Sequence, residues 1–203
     1  MPSERSTASV TDRVALELVD RARQGDTRAF GELVDLHRSA VYRAALAALR
    51  SPADAEDVAQ EAFVTAYRKL DGFRGEASFK TWLLAIAWRK ALDRRGSLGR
   101  RLRLMVTASE DERGTGPIDR LAHSGPSQED ALLSAELMRN ARRLIGTLPA
   151  KLRDALLLAG SGDYTYEEAA AMTGAPVGTV KWRVSEARRI LKRKLAALGY
   201  GRD

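Results

Sequence analysis

The chain has 203 residues, 34 basic and 27 acidic side chains, and a formal net charge of +7 at pH 7. This positive excess suits a polyanionic partner such as a nucleic acid, although an acidic membrane surface would also fit. The absence of cysteine excludes disulfides, thiol catalysis and thiolate metal sites, and is compatible with a reducing cytoplasm. The first ten residues lack the apolar core of a signal peptide, and the longest apolar run, residues 82–88, is too short to cross a bilayer. We therefore expect a cytoplasmic protein without membrane insertion.

Ala, Leu and Arg dominate the sequence while Ile and Val are sparse, which favours an all-α fold. Residues 1–10 are polar and are predicted to form a disordered tail. Helical periodicity covers residues 11–96 and 128–198. Between them, residues 97–127 are rich in Gly, Ser, Pro and mixed charge, which predicts a flexible linker and a domain boundary. The sequence thus predicts two small helical domains joined by a linker.

The first domain opens with a short helix that runs to about Arg23. Asp26 is placed to cap the next helix, whose broad apolar face includes His37; a lone histidine there is more often ordinary packing than a ligand. Ser51 and Pro52 then supply an N-cap and a first-turn proline for a third helix, in which Asp54 completes a capping box.

The third predicted helix carries an acidic ridge, which we define as Asp54, Asp57, Gln60 and Glu61. Its opposite face is apolar at i, i+3, i+4 spacing and faces a core. The helix dipole explains an acid in the first turn, but Asp57 and Glu61 lie beyond it. On a basic protein such a ridge is either a solvated face or the docking site of a partner other than DNA. A magnesium site is a minor alternative because no second carboxylate cluster accompanies it.

A glycine-punctuated loop, residues 71–78, separates this helix from one that begins after Ser78. In the loop and the helix, aromatic residues alternate with basic ones. That pattern is typical of proteins that bind single-stranded nucleic acid, where bases stack and cations follow the backbone. The alternative is that Trp82 and Trp88, or at least one of them, belong to the core.

The second domain is predicted to contain four helices. One starts after Ser127 and another spans Leu148-Pro149 to Gly160. The last two form a helix-turn-helix: Thr165 caps the first, Gly174 ends it, and Pro176 starts the second. The exposed face of the second helix carries one acid, Glu186, against seven basic residues: Lys181, Arg183, Arg188, Arg189, Lys192, Arg193 and Lys194. A second helix of this kind enters the DNA major groove; the alternative is a solvated helical hairpin.

The sequence offers no enzyme constellation. It has neither a glycine-rich phosphate loop ending in Lys-Ser/Thr nor a histidine pair at metal-binding spacing, and only two histidines in all. We therefore expect a protein that is not an enzyme and that needs neither a metal nor a cofactor.

Three segments in order, DAEDVAQEAF (54–63), FRGEASFKTWLLAIAWRKALDRRG (73–96) and residues 148–189, resemble the extracytoplasmic-function sigma factors of bacterial RNA polymerase. The resemblance implies a region 2-like domain over 11–96, a region 4-like domain over 128–198, and a linker between them. It further implies a transcription initiation factor that binds core polymerase and directs it to promoters, reading the minus-35 element as duplex and the minus-10 element as melted single strand. An anti-sigma factor is expected as a partner on the same ground.

The resemblance also assigns residues. Those expected to dock on the clamp coiled coil of core polymerase are Asp57, Gln60 and Glu61. Those expected at minus-10 DNA are Phe73, Arg74, Phe79, Lys80, Trp82, Arg89 and Lys90. Those expected at minus-35 DNA are Thr179, Lys181, Trp182, Arg183 and Arg188. The chain departs from the usual family pattern at Arg89, Thr173, Trp182, Ser185 and Glu186, so promoter preference does not transfer from relatives.

The main rival interpretation is a stand-alone helix-turn-helix regulator that binds palindromic DNA as a dimer. It leaves the acidic ridge and the loop over 71–78 unexplained. An enzyme acting on nucleic acid is a more distant alternative.

Overall fold

The computed structural model describes residues 10–106, 128–160 and 162–200. Within these ranges the chain forms eight α-helices and no β-strand, which confirms the predicted all-α fold. The chain divides into two compact units, Met1–Gly116 and Pro117–Asp203, and the division falls inside the predicted linker. None of the helices in the described ranges has the length and apolar character needed to cross a membrane.

The first unit contains α1 (Val10–Arg23), α2 (Thr27–Leu49), α3 (Pro52–Arg68), a 3₁₀ turn (Leu70–Gly72) and α4 (Phe79–Val106). The predicted N-caps form: the Asp26 carboxylate accepts the amides of Arg28 and Ala29, the Ser51 hydroxyl accepts the amide of Asp54, and the Ser78 hydroxyl accepts the amide of Thr81 at 3.1 Å. The Asp54 carboxylate does not complete the predicted capping box with Ser51, because it contacts Arg94 of α4 instead. These caps satisfy amides that a helix start leaves without partners, and they therefore fix where α2 and α4 begin.

Helices α2, α3 and α4 pack on one another, and α1 packs on α2. Alanines at the contacts are fully buried and allow close helix approach: Ala44, Ala45, Ala55, Ala62, Ala66, Ala87 and Ala91. Large side chains fill the remaining space, among them Leu33, Val58, Leu83 and Trp88. His37 is buried here with its ring 5.6 Å from that of Phe79, which confirms its interpretation as a packing residue.

Helix α4 is longer than predicted. It continues to Val106, whereas the sequence placed the end of the first domain at residue 96 and the start of an irregular linker at Ser97. Gly96 and Gly99 do not stop it, because a glycine ends a helix by taking a left-handed conformation and neither residue has a positive φ. The Arg and Leu residues around them favour helix enough to offset the glycines' cost of about 1 kcal/mol each. The rest of the predicted linker, 107–127, and the predicted tail up to residue 9 lie outside the described residues.

The second unit contains α5 (Gln128–Gly146), α6 (Ala150–Ala159), α7 (Tyr166–Thr173) and α8 (Val177–Leu195), followed by a π-helical segment (Ala196–Tyr200). Helices α5, α6 and α7 all contact α8. The core beneath α8 is formed by Leu148, Ala155, Leu158, Tyr164, Ala169, Val180, Val184 and Ala187. The four predicted helices of this domain are therefore present, with α8 as the central element.

The turn between α7 and α8 forms as the sequence predicts. Thr165 and Glu168 close a reciprocal capping box, with bonds of 2.9 and 3.1 Å. Gly174 takes the left-handed conformation, φ 62° and ψ 32°, and its amide bonds to the carbonyl of Ala170. Pro176 is the N-cap of α8. The helix therefore begins at Val177, one position later than predicted. This geometry is that of a helix-turn-helix.

Candidate functional sites

The acidic ridge is bridged by a cation from the neighbouring helix. Arg94 of α4 places Nη1 3.2 Å from Asp54 Oδ1 and 3.8 Å from Asp57 Oδ2, and Nη2 2.9 Å from Glu61 Oε1. Lys90 Nζ lies 3.4 Å from the other oxygen of Glu61. The ridge is therefore not simply a solvated face, and sequence reasoning missed Arg94 because its partners are 33 to 40 residues away.

The ridge still presents charge to solvent. The side chains of Asp57 and Glu61 are 64% and 51% exposed, whereas that of Asp54 is only 27% exposed. Asp54 thus anchors Arg94, and the outer two acids remain accessible to a partner. Ion pairs this exposed contribute only about 0.2–1 kcal/mol each, so a partner cation can replace Arg94 at little cost.

A groove of about 430 Å³ lies between α2 and α3, next to the ridge. Gln60 of the ridge is one of its lining residues. The other lining residues are Val34, Arg38, Ser39, Tyr42, Glu56, Ala59 and Phe63. The exposed part of α3 is therefore continuous with a partly apolar cleft, which widens the surface available to a protein partner beyond the three residues that the sequence assigned.

The aromatic residues of the minus-10 set are mostly buried. Phe73 and Phe79 are 5% and 1% exposed, and their rings meet edge to face at 5.7 Å. Trp82 is half-buried and packs on both rings, at 5.2 and 5.7 Å. A buried ring cannot stack on a base while it remains in the core, so Phe73 and Phe79 are positioned to shape this surface, whereas Trp82 retains an accessible edge.

The polar members of the same set lie outward to different degrees. Arg74 and Arg89 are exposed, and Lys80 is half-buried. Lys90 forms an ion pair with Glu61.

Trp88, the other tryptophan of α4, is only 1% exposed. Its Nε1 and the Nε2 of His37 are buried without a hydrogen-bond partner in the described part of the chain. Trp88 is therefore the tryptophan that belongs to the core.

Helix α8 presents Trp182 at the centre of its outward face. The buried stripe is Val180, Val184 and Ala187, and Trp182 lies about 200° around the helix from Val180. Its 62% exposure is exceptional for so large an apolar side chain. Lys181 is exposed on the same turn, with Nζ 5.5 Å from the centre of the Tyr166 ring. An aromatic side chain and a cation thus lie side by side on the outward face of the second helix of the helix-turn-helix.

The remaining minus-35 candidates flank this centre. Thr179 and Arg183 are half-buried at the sides of α8, and Arg188 is exposed one turn or more further along. Glu186 forms a bidentate pair with Arg189 at 2.7 and 2.8 Å. The hydrogen bond from Arg189 lowers the pKa of Glu186, and the same contact raises the pKa of Arg189. The family-atypical Glu186 therefore neutralises one of the basic residues of the recognition helix.

No group of three or more His, Asp or Glu side chains within the described ranges is arranged to hold a metal ion. In the acidic ridge the carboxylates are instead directed to Arg94 and Lys90. The chemistry that these surfaces offer is binding: the ridge presents carboxylates, and two other faces present cations together with aromatic rings.

Comparison with known proteins gives two family matches in chain order. Residues 33–101 match sigma-70 region 2 and residues 138–191 match sigma-70 region 4. The RNA polymerase sigma-H factor of Pseudomonas aeruginosa is 37% identical over 183 residues, which covers 90% of this chain and 94% of the relative. The ECF RNA polymerase sigma-E factor of Escherichia coli is 37% identical over 193 residues, which covers 93% of this chain and 96% of the relative.

Two solved structures share the fold. CnrH, solved in complex with the cytosolic domain of CnrY, is 28% identical with a TM-score of 0.61, and the match covers 92% of this chain and 98% of CnrH. The sigma factor RpoE of Bartonella quintana, solved in complex with the anti-sigma factor NepR, is 26% identical with a TM-score of 0.60, covering 82% and 96%. These matches do not favour the stand-alone dimeric regulator. The chain belongs to the extracytoplasmic-function group of RNA polymerase sigma factors, which are promoter-specific transcription initiation factors and not enzymes.

Proposed function

We propose that the first unit docks on core RNA polymerase through the acidic ridge and reads the melted minus-10 strand, while the second unit reads the minus-35 duplex. The observation that carries this proposal is the ridge itself. It exposes Asp57 and Glu61 on a chain whose net charge is +7. Such a surface repels DNA and suits a basic protein surface, which the clamp coiled coil of the polymerase would provide.

Docking through the ridge is compatible with its intramolecular ion pairs. Arg94 keeps the least exposed carboxylate, that of Asp54, at 3.2 Å. A polymerase cation therefore needs to displace only the outer contacts to Asp57 and Glu61. Gln60 belongs to the ridge and also lines the α2–α3 groove, so one partner helix would contact the ridge and the groove together.

Recognition of the minus-10 strand rests on the outward members of the predicted set. Arg74, Trp82 and Arg89 offer two cations and one aromatic edge, with Lys80 beside them. Single-stranded DNA is bound by this combination, because every base has a face for stacking and every nucleotide has a phosphate for a cation. In this proposal Phe73 and Phe79 act indirectly, by holding Trp82 in place from within the core.

Recognition of the minus-35 duplex rests on α8. Trp182, at the centre of the outward face, contacts base edges together with Lys181, and Arg183 approaches from the flank. Arg188, further along the helix, contacts phosphate, which positions the helix but does not read sequence. We expect a cytoplasmic protein without catalytic activity or cofactor. An anti-sigma factor is an expected partner, because RpoE of Bartonella quintana was solved with one.

The test is run-off transcription with core polymerase on promoter libraries, combined with measurement of core affinity. Wild type should select two elements at a fixed spacing. Asp57→Ala with Glu61→Ala should lower core affinity by a few kcal/mol, the range of interface hot spots, with folding largely retained. Glu17→Ala, an exposed acid of α1 that belongs to neither the ridge nor the groove, is the matched control for charge.

The second arm of the test concerns α8. Arg183→Ala should relax preference at one or two minus-35 positions, by about 1–3 kcal/mol if the contact to guanine is bidentate. Lys192→Ala should weaken binding evenly across sequences. Unchanged core affinity in the double alanine variant would remove the docking assignment. Tight, sequence-specific binding of the chain alone to palindromic duplexes would restore the dimeric regulator.

A further inference from the structure

Arg23, the last residue of α1, reaches across to the segment that follows α3. Its Nε and Nη2 donate hydrogen bonds to the carbonyl of Leu70, at 3.2 and 3.1 Å, and Nη2 also donates to the carbonyl of Phe73. The guanidinium carbon lies 6.0 Å from the centre of the Phe73 ring. The side chain is only 30% exposed, and Asp20 contacts its remaining nitrogen at 3.6 Å. One side chain therefore holds two carbonyls, a ring and a carboxylate.

The two carbonyls bound the start of the exposed loop. Leu70 begins the 3₁₀ turn, and the amide of Phe73 closes that turn on the Leu70 carbonyl at 3.1 Å. Residues 74–77 are all exposed, and Gly75 has a positive φ of 71°. At the far end Ser78 caps α4. The loop is thus fixed at its end by Ser78 and at its beginning by Arg23.

We infer that Arg23 is a positioning residue for recognition of the melted minus-10 strand. This inference rests on the proposed function of the loop and of α4. Arg74, a proposed DNA contact, directly follows the carbonyl that Arg23 holds, and the Phe73 ring under the guanidinium supports Trp82. Helix α1 precedes residues 33–101, the segment that matches sigma-70 region 2, so the sequence motifs gave no reason to select Arg23.

The physical role is pre-organisation. A loop that is already ordered does not need to lose backbone freedom when DNA binds, and such a loss lowers affinity. The free-energy cost of ordering the backbone of a single residue is similar to the free energy of a tenfold change in affinity. Since Arg23 fixes the carbonyls of Leu70 and Phe73, its removal should reduce affinity for the matching strand about tenfold or more. Contacts to phosphate alone, which a mobile loop still makes, should change much less.

Arg21 provides the matched control. It lies on the same helix and carries the same charge, but it pairs with Asp26 at 2.7 Å and with Glu32 at 3.9 Å. Its side chain is 52% exposed. Arg21→Ala therefore removes one positive charge from the end of α1 without removing a bond to the loop.

The experiment compares wild type, Arg23→Ala, Arg23→Lys and Arg21→Ala as full-length chains in holoenzyme. Binding is measured by fluorescence anisotropy to a single-stranded oligonucleotide carrying the minus-10 element selected by wild type, and to a scrambled oligonucleotide. Arg23→Ala should lower the ratio of the two affinities about tenfold, and Arg21→Ala should leave it unchanged. Arg23→Lys keeps the charge and can donate to one carbonyl, so it should restore part of the ratio.

A second readout follows the loop directly. Trypsin cleaves after Arg74, and mass spectrometry of the free chain under native conditions gives the rate at which that peptide bond is cut. The rate should rise in Arg23→Ala, rise less in Arg23→Lys, and stay at the wild-type value in Arg21→Ala. If Arg23→Ala does not fold, Arg23→Lys carries both measurements.

The outcomes separate the two claims. A more rapidly cleaved loop with an unchanged affinity ratio would mean that Arg23 only fastens α1, and it overturns the inference. Equal cleavage rates and equal ratios in all four proteins overturn it as well. A wild-type holoenzyme that does not distinguish the two oligonucleotides contradicts the proposed minus-10 function itself, and the inference with it.

Discussion

Acidification should destabilise the first unit through one side chain, His37. The imidazole is 4% exposed, packs against the Phe79 ring at 5.6 Å, and its Nε2 has no hydrogen-bond partner in the described part of the chain. Burial, and to a smaller extent the charge of Lys80, lower the pKa of His37 to about 4, against a smaller opposite effect of Asp12. The folded protein therefore resists protonation at a pH where an unfolded histidine accepts it.

The size and sign of the effect follow from linkage. An unfolded histidine has a pKa of about 6.5, and each unit of difference corresponds to about 1.36 kcal/mol. With a folded pKa of about 4, the neutral state of His37 contributes at most about 3 kcal/mol to the free energy of unfolding. Screening by nearby solvent reduces this contribution to about 2 kcal/mol. The contribution of His37 to stability is fully present above pH 6.5. It is lost as the pH falls towards 4, because over that range the unfolded state binds a proton that the folded state does not.

The assay is urea unfolding at several pH values between 7 and 4.5, followed by tryptophan fluorescence. A Trp182→Phe background leaves Trp82 and Trp88 as reporters, both in the first unit. Carboxylates also titrate in this range, so the informative quantity is the difference between His37→Leu and its parent. At pH 7 the two should be similar in stability, because the leucine also removes a buried nitrogen without a partner. Near pH 4.5 the leucine variant should be more stable by about 2 kcal/mol.

The second of the two histidines, His123, supplies the control. His123→Gln should keep the pH dependence of its parent if the effect belongs to His37. Parallel stability curves for His37→Leu and its parent from pH 7 to 4.5 would refute the reasoning, because they would show that His37 titrates alike in both states.

Three further outcomes are expected. Gly174→Ala should cost about 1–2 kcal/mol in urea unfolding, because a Cβ there meets no heavy atom within 4 Å and only the left-handed backbone is penalised. Glu61→Gln should raise the affinity of the free chain for single-stranded DNA several-fold and steepen its log–log salt dependence by about 0.7, because Lys90 then becomes available to a phosphate; Glu56→Gln should not. At one or more thymines of the selected minus-35 element, replacement by uracil should weaken binding by wild type and leave binding by Trp182→Ser unchanged, since an apolar ring contacts the thymine methyl group.

Short-range sequence patterns were sufficient to predict most of the helices and where they begin. The helix starts at Asp26, Ser78 and Thr165 and the turn at Gly174 were predictable, because capping and left-handed glycine depend on residues within a few positions of each other. The end of α4 was not. Gly96 resembles a stop in sequence, but whether a glycine takes the left-handed conformation depends on what the following residues gain by leaving the helix.

The exposure of side chains was predictable where it follows from helical periodicity. Trp182 and Lys181 lie outward, as the stripe from Val180 to Ala187 requires. The roles of Phe73 and Phe79 depend instead on how a loop folds back on α4. A pattern of aromatic and basic residues shows that both kinds of group are near one another, and it does not show which rings are in the core.

Two sets of contacts that sequence reasoning missed are made by arginines that reach distant segments of the chain. Arg23 bonds to carbonyls 47 and 50 residues away, and Arg94 reaches acids 33 and 40 residues away. An arginine is suited to this because its side chain is long and its fork of N–H groups can serve several acceptors at once. In a basic chain such residues are easily interpreted as DNA contacts. Arg94 shows why that interpretation needs the structure: it lies on the helix assigned to DNA, yet its guanidinium is held by the surface assigned to polymerase. The positive charge available to DNA is therefore smaller than the count of basic residues on α4 indicates, and it depends on what else occupies the acidic ridge.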